Sequence, residues 1–172
     1  MDIWAGFDDI LNNIQSGQYA TEYDFQADLF RIFNLAHDGH FRFSSDLLSK
    51  AILFGRPISV VSVSVDWIAV PKVYTTDDIR SYNAGSNQTM PSALTNINGE
   101  NVTEFLQNWG NLGFCQDPDA LYNTVFYELA FDAQADGRYN SNFTKSRRFN
   151  QIYPGSNTTI KFENVTISTF QN

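Results

Sequence analysis

The sequence predicts an α+β fold in which an N-terminal helical segment, residues 1–50, precedes a small β-rich domain with two helices, residues 51–172. Two observations carry this prediction. Apolar residues follow helical spacing before residue 35, and runs rich in β-branched residues follow strand spacing after residue 57. With 172 residues and a 42% hydrophobic composition, the chain is long enough to bury a core.

The N-terminal segment carries two amphipathic helices. Ser16-Gly17 separates them, because this pair is typical of a helix end. Thr21, followed three residues later by Asp24, predicts a capped start for the second helix, and Gly39 is expected to close it. The apolar residues that form the two helical faces are Ile3, Phe7, Ile10, Leu11 and Ile14, and then Phe25, Leu29, Ile32 and Phe33.

The rest of the chain alternates strand and helix patterns. Phe41 and Phe43 alternate with polar residues and predict a strand, and Pro71 indicates a sheet edge or a bulge in a later strand. Asn98-Gly99 is a strong turn signal, and Asp117-Pro118 is a typical helix start. The predicted strands are 58–65, 67–74, 93–97, 159–162 and 165–170, and the predicted helices are 102–109 and 117–130.

Charge and composition narrow the classes of partner. The net charge of −8 disfavours nucleic acid, which requires a basic face. No apolar run is long enough to predict a membrane span, and the acidic start is unlike a secretory signal. Five Asn-x-Thr sequons nevertheless favour secretion, with the signal lying upstream of residue 1. They begin at Asn87, Asn101, Asn142, Asn157 and Asn164.

Both histidines of the chain lie in His37-Asp38-Gly39-His40, between a helical and a strand pattern. Three interpretations stay open from the residues alone: a metal ligand pair, a general acid–base, or a structural role in a cap or the core. Neighbouring Ser44 and Ser45 lack the glycine-flanked signature of a serine nucleophile. The single cysteine, Cys115, has no accompanying base, and no cofactor motif is present.

Two stretches resemble the secreted fungal members of the C-terminal-processing (tail-specific) serine peptidases, a group that includes the chlamydial protease-like activity factor. Residues 23–29 through 36–41 are similar to the helix and Asp-x-His motif of that family, with Asp38 and His40 at its two positions. Residues 93–102 are similar to the strand, Asn-Gly turn and helix of its PDZ-like domain, and 117–123 also resembles the fungal subgroup.

The resemblance implies that residues 51–172 form a PDZ-like domain and that His40 is the triad base. It also implies peptide or protein substrates, while the serine and the acidic residue of the triad lie in a later catalytic domain. We therefore expect an N-terminal fragment of a secreted serine endopeptidase, inactive alone, that works with a missing C-terminal catalytic domain and without a metal or cofactor. The alternatives are a non-catalytic secreted binding module and a piece that assembles with a separate catalytic chain.

Overall fold

The computed structural model describes residues 2–134, 141–144 and 147–172. It has the predicted α+β architecture, with helices at the N-terminus followed by a strand-rich, PDZ-like part. Helix α1 spans Ile3–Gln15 and helix α2 spans Glu22–Asn34. The N-terminal helical segment and the strand-rich part therefore follow each other along the chain in the predicted order.

Helix α2 begins as its sequence predicts. The hydroxyl of Thr21 accepts a hydrogen bond from the Asp24 amide, and the Asp24 carboxylate accepts one from the Thr21 amide. This reciprocal pair satisfies two backbone donors that the first helical turn leaves unpaired. The helix ends at Asn34, ahead of the predicted stop at Gly39, because the chain turns at Leu35 and takes up a left-handed backbone at His37.

Two antiparallel sheets form the strand-rich part. Strands β1 and β2 pair with each other, and the larger sheet has the strand order β4-β3-β5-β6. The hairpin of β5 and β6 confirms the predicted terminal hairpin. The strands are β1 Val60–Val63, β2 Lys72–Thr75, β3 Leu94–Ile97, β4 Glu100–Asn101, β5 Asn157–Phe162 and β6 Ile167–Gln171.

One predicted strand is largely a loop. Residues 64–71 connect β1 to β2, and the Asp66 carboxylate accepts hydrogen bonds from the amides of Ile68 (3.0 Å) and Ala69 (2.7 Å). This side chain closes a local turn, so the backbone groups are satisfied without a ladder. Trp67 is consequently 96% exposed although its residue type favours a strand.

The helix Val102–Gly110 packs against strand β3 of the larger sheet. The predicted helices are present as α4 (Val102–Gly110) and α5 (Pro118–Asn123), but α5 ends well before residue 130. Its chain turns at Thr124 so that Val125 and Phe126 enter the core, and helix α6 follows at Leu129–Gln134. Helix α3 (Thr76–Asn83), a π-helical turn (Leu47–Ala51) and a 3-10 helix (Arg147–Gln151) complete the described elements.

The core is formed by residues of both sheets, helix α4 and the chain that follows helix α5. Its members include six residues with no exposed surface: Val60, Ile97, Leu106, Val125, Phe143 and Ile160. Burial on this scale is the main stabilising contribution for a domain of this size. Among the described residues, no helix has the length and apolar character needed to span a bilayer.

One cation is buried at the edge of this core. Arg56 is 3% exposed, and its guanidinium lies 3.8 Å from the Trp109 ring centroid and 4.6 Å from that of Phe143. It donates hydrogen bonds to the Thr158 hydroxyl (3.1 Å) and the Phe143 carbonyl (3.0 Å). Burial lowers the pKa of Arg56 to about 9, so the group remains a cation at neutral pH.

Candidate functional site

The histidine segment is a loop that starts where α2 ends. His37 has a φ of 49°, in the left-handed region that few residues other than glycine adopt readily. Its side chain is half-buried, and its Nδ1 atom is buried with no hydrogen-bond partner in the structure as described. His37 therefore helps to turn the chain out of the helix.

Asp38 and His40 are brought together by a tight backbone turn. The Asp38 carboxylate accepts a hydrogen bond from the His40 amide at 2.8 Å, and the same oxygen lies 3.4 Å from His40 Nδ1. The amide hydrogen bond is the main reason that the pKa of Asp38 lies below its ordinary value, so the carboxylate stays ionised. A carboxylate beside Nδ1 favours the tautomer in which Nδ1 carries the proton and Nε2 is free to accept one.

Contacts on both sides hold this loop. The predicted strand at residues 41–43 is absent. The two aromatic residues of its alternating pattern, Phe41 and Phe43, instead stack on the Phe33 ring, with centroid distances of 4.8 and 5.6 Å. Gly39 lies so close to Phe114 that an added Cβ would sit 3.3 Å from the ring. The loop is therefore packed against α2 and against the strand-rich part at the same time.

His40 itself projects into solvent. Its side chain is fully exposed, and no hydrogen bond joins it to a hydroxyl group within the described ranges. Ser45 is buried, with a hydroxyl that lacks a partner among those residues, and nothing pairs it with His40. The arrangement can supply an oriented base, but a nucleophile would have to be brought to it by another surface.

A partly open pocket of about 310 Å³ lies at the joint between the helical segment and the strand-rich part. The Tyr153 amide donates a hydrogen bond to the Tyr23 hydroxyl (3.1 Å), and Asn34 donates one to the Leu112 carbonyl (2.9 Å). Gln151 lines the pocket, and its Oε1 atom is buried without a partner in the described structure. The other lining residues are Tyr23, Ala27, Asp28, Phe30, Arg31, Asn34, Leu112 and Ile152.

Strand β6 is an open edge of the larger sheet, since within the described residues it pairs only with β5. The Phe162 amide donates to the Thr166 carbonyl, and the Asn172 amide donates to the Ser156 carbonyl. Hydrogen-bonded pairs alternate in an antiparallel ladder, so the amides of Ile167, Thr169 and Gln171 point away from β5. These three amides can receive another extended chain.

Cys115 is the remaining candidate of the sequence. Cys115 is a free thiol of intermediate exposure. Within residues 2–134, 141–144 and 147–172, no group of three or more His, Cys, Asp or Glu side chains could hold a metal ion. The sequence did not single out Arg56 or the β6 edge. The run Gly55-Arg56-Pro57 is typical of a turn, and the aromatic residues that contact Arg56 lie far along the chain.

A family model described as the CPAF-like PDZ domain matches residues 53–172. The chain therefore belongs to the CPAF-like PDZ domain family. The strands and helices after the N-terminal segment are thus the PDZ-like region that the resemblance implies.

Two curated relatives come from Diaporthe leptostromiformis and are named Peptidase S41 family protein phomP1' and Peptidase S41 family protein phomP1. Each is 32% identical over 170 residues, which cover 96% of this chain and 24% of the relative. The chain accordingly spans about a quarter of the length of these relatives, and its PDZ-like part is an S41-like PDZ region. No solved structure matches the chain.

Proposed function

We propose that this chain is the N-terminal part of a secreted serine-type endopeptidase, combining a peptide-binding PDZ-like domain with the base of the catalytic triad. Its family and its similarity to S41 peptidase proteins over a quarter of their length support the proposal. The observation that carries it is the Asp38–His40 pair, held on a packed loop with Nε2 directed to solvent. The nucleophilic serine and the triad acid then belong to a catalytic domain outside residues 1–172, and this chain is inactive alone.

In the proposed peptidase, His40 removes the proton from the serine hydroxyl and returns it to the leaving amine. Before the triad acid of the catalytic domain reaches Nδ1, Asp38 favours the same tautomer, in which Nε2 can accept this proton. The test is peptide hydrolysis by a polypeptide that joins this chain to the catalytic domain. His40→Ala should lower kcat by several orders of magnitude, whereas the His37→Ala variant should retain most of the kcat of the unsubstituted polypeptide. Undiminished hydrolysis by the His40→Ala variant would contradict the assignment of His40 as the general base.

The PDZ-like domain of the proposed enzyme binds an extended substrate segment at β6 by adding it to the sheet. The outward amides of Ile167, Thr169 and Gln171 provide the hydrogen bonds. Fluorescent ten-residue peptides with varied C-terminal residues are suitable probes for this chain.

Thr169→Pro removes one outward amide without removing a bond to β5, so peptide binding should weaken while the fold persists. Thr169→Ala is the matched control: it deletes the hydroxyl contact to Thr159 (3.0 Å) but retains the amide. Equal peptide affinity for the two variants would argue against binding at this edge.

A non-catalytic secreted binding module is the second candidate. It is favoured by the full exposure of His40 and by the lack of a hydroxyl bonded to it in the described structure. In that case His40→Ala would change neither peptide binding nor the activity of any longer polypeptide. The two candidates thus differ in the hydrolysis experiment and agree in the peptide-binding experiment.

The proposed site of action is extracellular, and the protein is proposed to be a glycoprotein. The exposed sequons support this, since N-linked glycosylation requires passage through a compartment that transfers such glycans. Detection of the native protein in the culture medium of its source, with glycosidase-sensitive mobility, is the direct measurement. Exclusive recovery from the cytosol would contradict extracellular action.

A further inference from the structure

The five sequons differ sharply in local geometry. At Asn87, the side-chain oxygen accepts a hydrogen bond from the Thr89 amide at 3.2 Å, two residues further on. At Asn164, the oxygen accepts from the Thr166 amide at 3.1 Å. Both asparagines are exposed. Each sequon is therefore folded into an Asx turn that brings the asparagine amide and the threonine hydroxyl into one short, accessible loop.

Asn101 shows the same geometry in a different setting. Its side-chain oxygen caps helix α4 by accepting from the amides of Thr103 (3.0 Å) and Glu104 (3.4 Å). The Nδ2 atom takes no part in this cap, and no hydrogen bond between described residues uses it. A substituent on Nδ2 would therefore leave the helix cap in place.

Asn142 is the opposite case. It is 7% exposed, and its Nδ2 donates a hydrogen bond to the Thr124 hydroxyl at 2.7 Å. Its sequon partners Phe143 and Thr144 are buried as well, and the Thr144 hydroxyl donates to the Ile58 carbonyl. A glycan at this position cannot be accommodated without opening the core, so a folded chain cannot carry one.

The Asn157 sequon is intermediate between these cases in its exposure and local geometry. It is exposed, but it begins strand β5 and pairs with Gln171. The amide of its sequon threonine, Thr159, donates to Asn98 Oδ1 (2.8 Å) and is not available to Asn157. The strand thus keeps this sequon extended, without the turn present in the other exposed ones.

We propose that Asn87, Asn101 and Asn164 are N-glycan attachment sites. Asn142 carries no glycan in the folded chain, and the glycan occupancy of Asn157 is lower than that of the three attachment sites. This inference rests on the proposed passage through the secretory pathway. In the transfer step, Asn Nδ2 attacks C1 of a lipid pyrophosphate-linked oligosaccharide. The C1–N bond forms, the bond from C1 to the phosphate oxygen breaks, the lipid pyrophosphate leaves, and a base takes one Nδ2 proton.

The proposed glycans also cover one of the surface grooves. Asn87 and Asn164 line the same shallow groove, of about 210 Å³, together with Phe162 and Thr166. Glycans at these two positions shield that groove, so it is excluded as the peptide site. All five sequons lie after residue 86, so the helical segment and the His40 loop remain free of glycan.

The test is site occupancy in this chain when a cleavable signal sequence directs it through the secretory pathway of a yeast. The secreted, protease-resistant chain is deglycosylated by peptide N-glycosidase in ¹⁸O-water and analysed by peptide mass spectrometry. High occupancy is expected at Asn87, Asn101 and Asn164, lower occupancy at Asn157, and none at Asn142. An unmodified residue among the first three, or a modified Asn142 in the folded chain, would overturn the proposal.

Matched variants separate the modification from folding effects. Thr89→Ala and Thr166→Ala should each remove one glycan while retaining the asparagine, and Thr89→Ser and Thr166→Ser should keep it. Because the signal sequence enforces entry into the pathway, the result does not depend on where the native protein resides. Peptide binding by the same secreted chain is measured separately, so a failure there would count against the PDZ-like function and leave the glycan sites standing.

Discussion

Replacing Arg56 tests whether the aromatic cage around this buried cation stabilises the domain through shape or through charge alone. A desolvated cation–π contact contributes about 2 kcal/mol, and a hydrogen bond from a charged donor contributes about 1.5–3 kcal/mol. Against these gains, removing an ion from water costs several kcal/mol. Two such hydrogen bonds from Arg56 oppose that cost, as does the position of its guanidinium 3.8 Å from the Trp109 ring centroid.

Arg56→Lys keeps the charge and therefore the desolvation cost. An ammonium cannot stack flat on Trp109, nor reach both the Thr158 hydroxyl and the Phe143 carbonyl as the planar guanidinium does. We expect the free energy of unfolding to fall by about 2–4 kcal/mol. Arg56→Met loses the same contacts but has no ion to desolvate, so the loss should be smaller, about 1–2 kcal/mol.

The assay is urea unfolding followed by both circular dichroism and tryptophan fluorescence. Arg56→Lys should be the less stable variant by about 1–2 kcal/mol. A lysine variant as stable as the methionine variant would refute the claim that planar stacking and the two bonds offset the buried charge. Burial lowers the pKa of Arg56 to about 9, so well below that pH the group is charged in both the folded and the unfolded state, and its contribution to stability does not vary with pH. The difference between wild type and Arg56→Met should accordingly be constant from about pH 6 to about pH 8.

Two further substitutions probe packing and backbone strain. Gly113→Ala should lower the free energy of unfolding by about 1–3 kcal/mol, because a Cβ would lie 2.8 Å from Leu121 Cδ2 and 3.0 Å from a backbone carbonyl oxygen. Gly6→Ala in helix α1 is its control. The flexible end of the Ile32 side chain can move away from the added Cβ, and alanine has a higher helix propensity than glycine. The midpoint temperature of thermal unfolding should therefore be unchanged or slightly higher. Val165→Gly should stabilise the chain by about 0.5–1 kcal/mol in urea unfolding, because Val165 has a φ of 63° in the β5–β6 turn. Destabilisation by this change would show that the turn carries no strain.

The sequence predicted best where the determining contacts are local. The capping box of Thr21 and Asp24 and the Asn98-Gly99 turn depend on residues within four positions, and both are present. The loop at residues 64–71 departs from the predicted strand: its residue types favour a strand, but a single carboxylate, Asp66, closes a turn there. Propensity alone cannot reveal that competition.

The buried cation shows why longer-range features were not predictable. Arg56 meets Phe143 and Thr158 across 87 and 102 residues, respectively. No local pattern marks such partners, and an arginine in a Gly-Arg-Pro run indicates an exposed turn. At the candidate site, the sequence singled out the loop of residues 37–40 but could not give the exposure of His40 or the stacking of Phe41 and Phe43 on Phe33.

The contrast between the two histidines allows the proposed role of His40 to be tested on the loop itself. Diethyl pyrocarbonate reacts with accessible, unprotonated imidazole nitrogen. His40 is fully exposed, whereas His37 is half-buried with its Nδ1 covered, so His40 should be modified several-fold faster in this chain. A base must come within about 3 Å of its serine hydroxyl, so an assembled catalytic domain should cover His40 and slow its modification.

His37 serves as the internal reference in this measurement, because its protection arises from the loop's own packing and should not change. If His40 remained as reactive in the assembled polypeptide as in this chain, no surface would approach it closely enough for proton transfer. The exposed imidazole would then be a feature of the loop rather than of a triad.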